Sequence, residues 1–333
     1  MTRVVQIQRG TERRVALVEE PRLRLLTGVA SVYDLAIGAA AAGTHLTALV
    51  SQSAGDDLLD YDPVYEGRSE WRLLAPIGHP ADPARCLVSG TGLTHLGSAK
   101  NRAAMHGASD ADLTDSMRMF RLGVEGGRPA PGRVGAAPEW FYKGTGAILR
   151  APNEPLEVPP YAEDGGEEAE IAGVYLIDLG GRPVRIGMAL GNEFSDHKFE
   201  RKNYLNLAGS KIRTCSIGPE LVIDPAFASV TGTVAIEREG KVLWEQAIQS
   251  GEAEMCHSLA NIEHHHFKFE SHRRAGDVHV HYYGAHSLSF GAGLQLAGGD
   301  VMSVAYAGFG RPLRNPLRVL PGPAGLIAVR PLS

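Results

Sequence analysis

Cysteine is scarce: Cys86, Cys215 and Cys256 are the only three in 333 residues. Their odd number and wide spacing exclude a disulfide framework and a cysteine-built zinc site, so they read as reduced packing residues. Long apolar runs are missing as well. Nowhere do eighteen apolar residues follow one another, and the N-terminal stretch Met1 to Arg9 alternates like a strand without the apolar centre of a signal peptide. The expectation is a cytoplasmic protein with no membrane partner. The net charge of −5 comes with no basic tract interleaved with aromatics, so DNA and RNA are not expected partners. A Gly-X-Ser-X-Gly elbow, a P-loop and a dinucleotide-binding glycine fingerprint are also absent, which argues against serine hydrolases and nucleotide-dependent enzymes.

What is present is a β-rich pattern. Apolar residues make up 44% of the chain, enough for a proper core, while Gly 40 and Pro 20 imply many turns. The length allows two domains, and a soft boundary falls near residue 90, giving 1–90 and 91–333. In the first part, residues 3 to 18 read as a hairpin turning at Arg9 to Thr11, followed by a short strand Arg22 to Leu26 and a helix capped by Ser31. After Asp56 the chain turns acidic and irregular until the strand-like run Trp71 to Ile77. In the second part, a helix over Asp110 to Phe120 precedes a Gly- and Pro-rich stretch to Ala137 that reads as a loop suited to be a lid. Strands are expected near 168–177, 183–191, 219–224, 231–238, 241–249, 277–283 and 300–306, with one long helix from about Glu252 to Glu270. Frequent strands with few helices between them point to a mainly antiparallel sheet or barrel-like core.

The chemistry concentrates in carboxylates. Glu168 and Glu170 lie two apart at the start of a strand and so share a face. The next strand delivers Glu193 within Gly191-Asn-Glu-Phe-Ser-Asp196, and an antiparallel return brings the three together. Oxygen-only ligation suits Mg²⁺, with Mn²⁺ or Ca²⁺ as alternatives, rather than zinc. The competing reading is that these are acidic strand ends facing water. Lys143, in an aromatic strand running into a glycine turn, and Lys211, eighteen residues after Glu193, are candidates to hold a substrate anion or to act as a base, unless they are ordinary surface lysines. His264, His265 and His266, with His279 and His281 on one strand face, raise a histidine-built metal site as an alternative, but consecutive helical histidines fan out and cannot all reach one ion.

The ordered set Phe141-Tyr-Lys-Gly-Thr-Gly-Ala-Ile148, Glu167-Glu-Ala-Glu-Ile-Ala172, Gly187-Met-Ala-Leu-Gly-Asn-Glu-Phe-Ser195, Lys211, Ile217-Gly-Pro219 and Gly276-Asp-Val-His279 resembles the motifs of the fumarylacetoacetate hydrolase superfamily over about residues 95 to 325. The resemblance implies a mainly β (α+β) fold: a mixed β-sheet and β-roll barrel core in 91–333 with a smaller N-terminal α+β domain. It implies that Glu168, Glu170 and Glu193 are metal ligands, Glu193 replacing the Asp of most members, and that Lys143 and Lys211 are the active-site lysines. Glu193 in its setting looks like the branch that handles 2-keto-3-deoxy sugar acids, including the arabinonate and xylonate dehydratases. Arg102, His106, Ser287 and Ser289 are the candidate substrate contacts. His106 lacks the glutamate that hydrolases of the superfamily place about three residues away, which weakens hydrolysis. The implied activity is dehydration of a 2-keto-3-deoxy sugar acid, 2-keto-3-deoxy-L-arabinonate first, to 2,5-dioxopentanoate, with Lys211 as base and Lys143 binding negative charge, or the reverse. The implied assembly is a homodimer or higher homo-oligomer. C–C hydrolysis of a 2,4-diketo acid, decarboxylation to the same enolate and a non-catalytic sugar-acid binding protein are the alternatives.

Overall fold

The computed structural model describes residues 1–97 and 114–332. Its strands are β1 (Thr2–Arg9), β2 (Glu12–Glu19), β3 (Arg22–Leu26), β4 (Ala54–Asp60), β5 (Arg72–Leu73), β6 (Cys86–Gly92), β7 (Glu139–Thr145), β8 (Leu149–Arg150), β9 (Leu156–Val158), β10 (Ala169–Ile177), β11 (Pro183–Asn192), β12 (Cys215–Ile217), β13 (Leu221–Ile223), β14 (Val230–Arg238), β15 (Lys241–Ser250), β16 (Val278–Tyr282), β17 (Val301–Tyr306) and β18 (Leu313–Val319). The helices are α1 (Val32–Ala42), α2 (Leu46–Gln52), α3 (Tyr61–Tyr65), α4 (Asp115–Gly126), α5 (His197–Lys202), α6 (Leu207–Lys211) and α7 (Leu259–Phe267).

Thirteen strands form one sheet in the order β4-β3-β2-β1-β13-β11-β10-β16-β6-β7, with β5, β8 and β12 joining at its margins. Five more, β15-β14-β17-β18-β9, form a second sheet. Pairing is mostly antiparallel, but β16/β6, β12/β8 and β18/β9 run parallel. The architecture is therefore a mixed, sheet-rich α+β fold, as the resemblance implied.

β10 shows how the sequence builds the centre. All nine of its residues are buried, and their alternation sends them to two cores. Ala172, Val174 and Leu176 pack with Val4, Val15, Val32 and Val280, whereas Ala169 and Ile171 pack with Met188, Val234, Val304 and Leu313 toward the second sheet. A strand covered on both faces must be apolar throughout. A glutamate at its start is thus out of place unless something answers its charge.

Several expected elements are found as read. β1 and β2 form the expected hairpin, β3 occupies Arg22–Leu26, and the Ser31 side chain caps α1 by accepting the Asp34 N–H. Others differ for tertiary reasons. The acidic stretch after Asp56 is not irregular, because β4 pairs with β3 at the sheet edge, where aspartates can face water. Trp71 to Ile77 is a strand only at Arg72–Leu73. β18 contains Pro316 and alternates with arginines, so its local signal is weak, yet pairing with β17 and β9 makes it a strand. The helix expected from Glu252 to Glu270 is confined to Leu259–Phe267, since Ser258 caps it and the chain before it is tied elsewhere by the Cys256 N–H to Thr94 O bond. The Gly- and Pro-rich stretch before Ala137 is not a free lid. Gly127 O, Gly135 and Ala136 O bond to Ser258 N and the Asn261 side chain, which fasten it to α7.

Candidate metal centre

The β10/β11 hairpin sets the site. Its register places Ala169 opposite Asn192 and Glu170 opposite Gly191, and one step further the Glu193 N–H donates to Glu168 O at 3.0 Å. Each of Glu168, Glu170 and Glu193 thereby presents a carboxylate oxygen within 4.8 Å of the others. Glu170 is 1% exposed and Glu193 fully buried.

Two buried lysines answer part of this charge. Lys211, at the end of α6, places Nζ 2.5 Å from Glu168 Oε1, 2.6 Å from Glu193 Oε2 and 3.0 Å from Ser195 Oγ. Its ammonium also lies 4.7 Å above the Phe141 ring. Lys143 on β7 donates to Glu193 Oε1 and to Phe194 O. Glu170 receives the Gly284 main-chain N–H at 2.6 Å instead of a lysine. Consequently burial, and then the charges of Glu193 and Glu168, push its carboxyl well above the usual range. Burial pushes Glu168 the same way, but the Lys211 ammonium and His197 overcome it and hold Glu168 well below that range.

This donor set fits a hard divalent cation. It is made of oxygens, it carries one more carboxylate than ammonium, and Glu170 bears the like-charge strain that a cation would relieve. Lys211 stands between two of the carboxylates, where it partly replaces such an ion.

The neighbours of the trio were not all legible in the sequence. His197 opens α5 and sets Nε2 3.1 Å from Glu168 Oε1, while its buried Nδ1 has no partner. Ser195 Oγ lies 3.1 and 3.0 Å from the two Glu193 oxygens. Both follow Glu193 closely; Ser195 closes the Gly187 to Ser195 motif, whereas for His197 proximity was the only signal. Glu167 is fully buried and accepts from Ser289 N at 2.6 Å and Ser289 Oγ at 2.7 Å. The Ser289 hydroxyl is therefore engaged in holding the 284–293 segment against β10, and Ser287 lies half-buried on that segment. Arg102 and His106 fall outside the described residues.

The histidines form a packed cluster rather than a ligand set. Trp140 Nε1 donates to His266 Nδ1 at 3.1 Å, so His266 Nε2 carries the proton that bridges 3.0 Å to His279 Nδ1. His281 is held between Ser89 Oγ at 2.8 Å and Thr91 Oγ1 at 2.6 Å. Burial, reinforced by neighbouring histidines, pushes His279 and His281 down to about 3. Among the described residues, the side chains close enough to share an ion are the three glutamates.

No family model matches the sequence, and no curated protein matches it. Solved structures do resemble it. An apo 2-keto-3-deoxy-D-arabinonate dehydratase superposes with a TM-score of 0.70 at 17% identity, covering 96% of this chain and 100% of that one. The same dehydratase in complex with magnesium and 2,5-dioxopentanoate gives 0.69 at 17% identity over 96% and 99%. A 2-hydroxyhepta-2,4-diene-1,7-dioate isomerase from Mycobacterium marinum gives 0.59 at 15% identity over 96% and 99%. The likeness is one of fold, extending over nearly the whole of each chain.

Proposed function

We propose that this chain, which has the fold expected of the fumarylacetoacetate hydrolase superfamily, is a divalent-cation-dependent dehydratase converting a 2-keto-3-deoxy pentonate to 2,5-dioxopentanoate. The observation that carries the reading is the meeting of Glu168, Glu170 and Glu193 with the buried Lys143 and Lys211. It gains support from the match to a dehydratase solved with magnesium and that product. Mg²⁺ is the proposed ion, since an oxygen donor set favours hard cations.

A cation held by the three glutamates would supply Lewis-acid stabilisation to the α-keto acid end of the substrate. The remaining work belongs to side chains. Dehydration removes a proton from C3 and hydroxide from C4, together one water, and a proton shift from C5 to C3 followed by tautomerisation gives the aldehyde. Burial disfavours the charge on Lys211, but Glu168 and Glu193 raise its proton affinity well above the usual lysine range. In this arrangement Lys211 is an ammonium suited to protonate the departing C4 hydroxyl, which leaves the C3 proton to Lys143; since the ammonium form cannot accept a proton, Lys143 would do this as the neutral amine. Of the two role assignments that the sequence left open, this is the exchanged one. Burial of the whole group keeps bulk water from screening these charges.

The test is turnover of both enantiomers (D and L at C4) of 2-keto-3-deoxyarabinonate with Mg²⁺ and with EDTA, the 2,5-dioxo product being followed through a coupled dehydrogenase. Metal-dependent product is expected, and Glu170→Ala should lower kcat/KM about a thousandfold, near 4 kcal/mol. Retained activity in Glu170→Ala would refute the site. Failure of both enantiomers alongside metal-dependent cleavage of a 2,4-diketo acid would replace dehydration by C–C hydrolysis.

A further inference from the structure

A buried run of hydrogen bonds crosses from the second sheet to the glutamates. Ser250, the last residue of β15, places its hydroxyl 3.1 Å from His95 Nε2, and His95 Nδ1 lies 2.9 Å from Thr94 Oγ1. Thr94 Oγ1 donates to Tyr283 O at 2.5 Å. That carbonyl belongs to the same peptide unit as the Gly284 N–H, which donates to Glu170 Oε2 at 2.6 Å. Ser250 and His95 are fully buried, and Thr94 is 1% exposed.

The direction of every bond is fixed. A carbonyl only accepts, so the single hydroxyl proton of Thr94 points at Tyr283 O; His95 must then donate from Nδ1 and accept at Nε2 from Ser250. Burial pushes His95 down to about 3, in keeping with this neutral tautomer. Donors aligned head to tail polarise one another, and a hydrogen bond on an amide oxygen strengthens the N–H of the same resonant unit. The parts are also held in place. Cys256 N–H bonds Thr94 O at 2.8 Å, and His95 forms a β-bridge with Met255. Gly284 has φ +100, and a Cβ there would lie 2.1 Å from Thr94 Oγ1. Only glycine permits that approach.

We propose that Thr94 is a positioning residue for Glu170, acting through the Tyr283–Gly284 peptide, whose N–H it aims and strengthens toward the carboxylate. The inference rests on the reading of Glu170 as a metal ligand. Thr94 would touch neither metal nor substrate. Its hydroxyl fixes which Glu170 oxygen is engaged by the main chain and which is left for the ion.

The test is Mn²⁺ titration of the metal-free protein, followed by electron paramagnetic resonance, for wild type, Thr94→Val, Thr94→Ser and Glu170→Gln, with melting curves for each. Thr94→Val should bind Mn²⁺ about tenfold or more weakly, the usual effect of losing a group that orients a ligand, while Thr94→Ser stays within about threefold and both melt near wild type. Wild-type affinity in Thr94→Val, with binding lost in Glu170→Gln, would overturn the positioning role and leave the metal site standing. Unchanged binding in Glu170→Gln would overturn the metal reading itself and this inference with it. If Thr94→Val fails to fold, Thr94→Ala is measured in its place, and if that also fails the proposal falls, because the hydroxyl would then be serving the fold rather than the ligand.

Discussion

At Glu170, stability and function pull apart. Its carboxyl is pushed up by burial and by Glu193 and Glu168, so the stability this group contributes is present at low pH and lost as pH rises through its folded-state value. At pH 8 Glu170 therefore weakens the metal-free protein, whether it ionises in place or takes up a proton on folding. Glu170→Gln keeps an acceptor for the Gly284 N–H and removes the charge, so in EDTA at pH 8 it should stabilise by about 1 kcal/mol or more. Chemical denaturation measures this directly; an unchanged or lower midpoint would show that the like-charge strain is not there. Lys211 makes the opposite case. Replacing it with Met leaves Glu168 and Glu193 short of an ammonium, and breaking such a buried pair costs about 3–5 kcal/mol. Because Glu170 and Lys211 both interact with Glu168 and Glu193, the double variant should lose less than the sum of the singles. The sequence made the three glutamates and two lysines legible through spacing and motif. It gave no sign of Thr94, whose partner carbonyl is 189 residues away.

Where α7 packs on β16, two elements bury histidines against one another. His266, His279 and His281 are each 1% exposed, and the Phe267 ring lies 5.2 Å from His279. The folded-state values of His279 and His281 lie below the unfolded one, so their contribution to stability is fully present above about pH 6.5 and is lost as pH falls from there toward about 3. Each such histidine should steepen the acid limb by about 1.4 kcal/mol per pH unit. Denaturation between pH 7 and 5 should show this loss, and His279→Phe should flatten it by about that amount. An unchanged slope would mean that His279 does not stay neutral in the folded protein. At this scale the helix pattern around residues 264–266 was visible, but where the helix ends was not. Its start is set by the Ser258 cap and by the chain before it being bonded to Thr94, and the latter contact leaves no local mark.

Across the whole molecule, the N-terminal hairpin is part of the same sheet as the candidate site. β1 pairs with β13, and β13 with β11, the strand that delivers Glu193. Val4, Val15, Val32 and Leu35 share one apolar cluster with Ala172, Val174 and Val280. Residues 1–90 and 91–333 are therefore expected to unfold in one calorimetric transition, and residues 91–333 alone to lack a cooperative one; two separate transitions would show that the halves are independent. No helix among the described residues is long and apolar enough to cross a membrane. What the sequence determined by itself is whatever short-range rules encode: the hairpin turn, the Ser31 cap, the two-residue alternation that pairs Glu168 with Glu170, and the return strand that brings Glu193 beside them. Tertiary structure alone decided that β4 and β18 are strands, that the Gly- and Pro-rich stretch is fastened to α7, that Lys211 sits between two carboxylates, and that Ser250, His95 and Thr94 line up behind Glu170. Those outcomes depend on which distant backbone and side-chain groups share a buried space, and a periodicity of two or 3.6 residues carries no record of that.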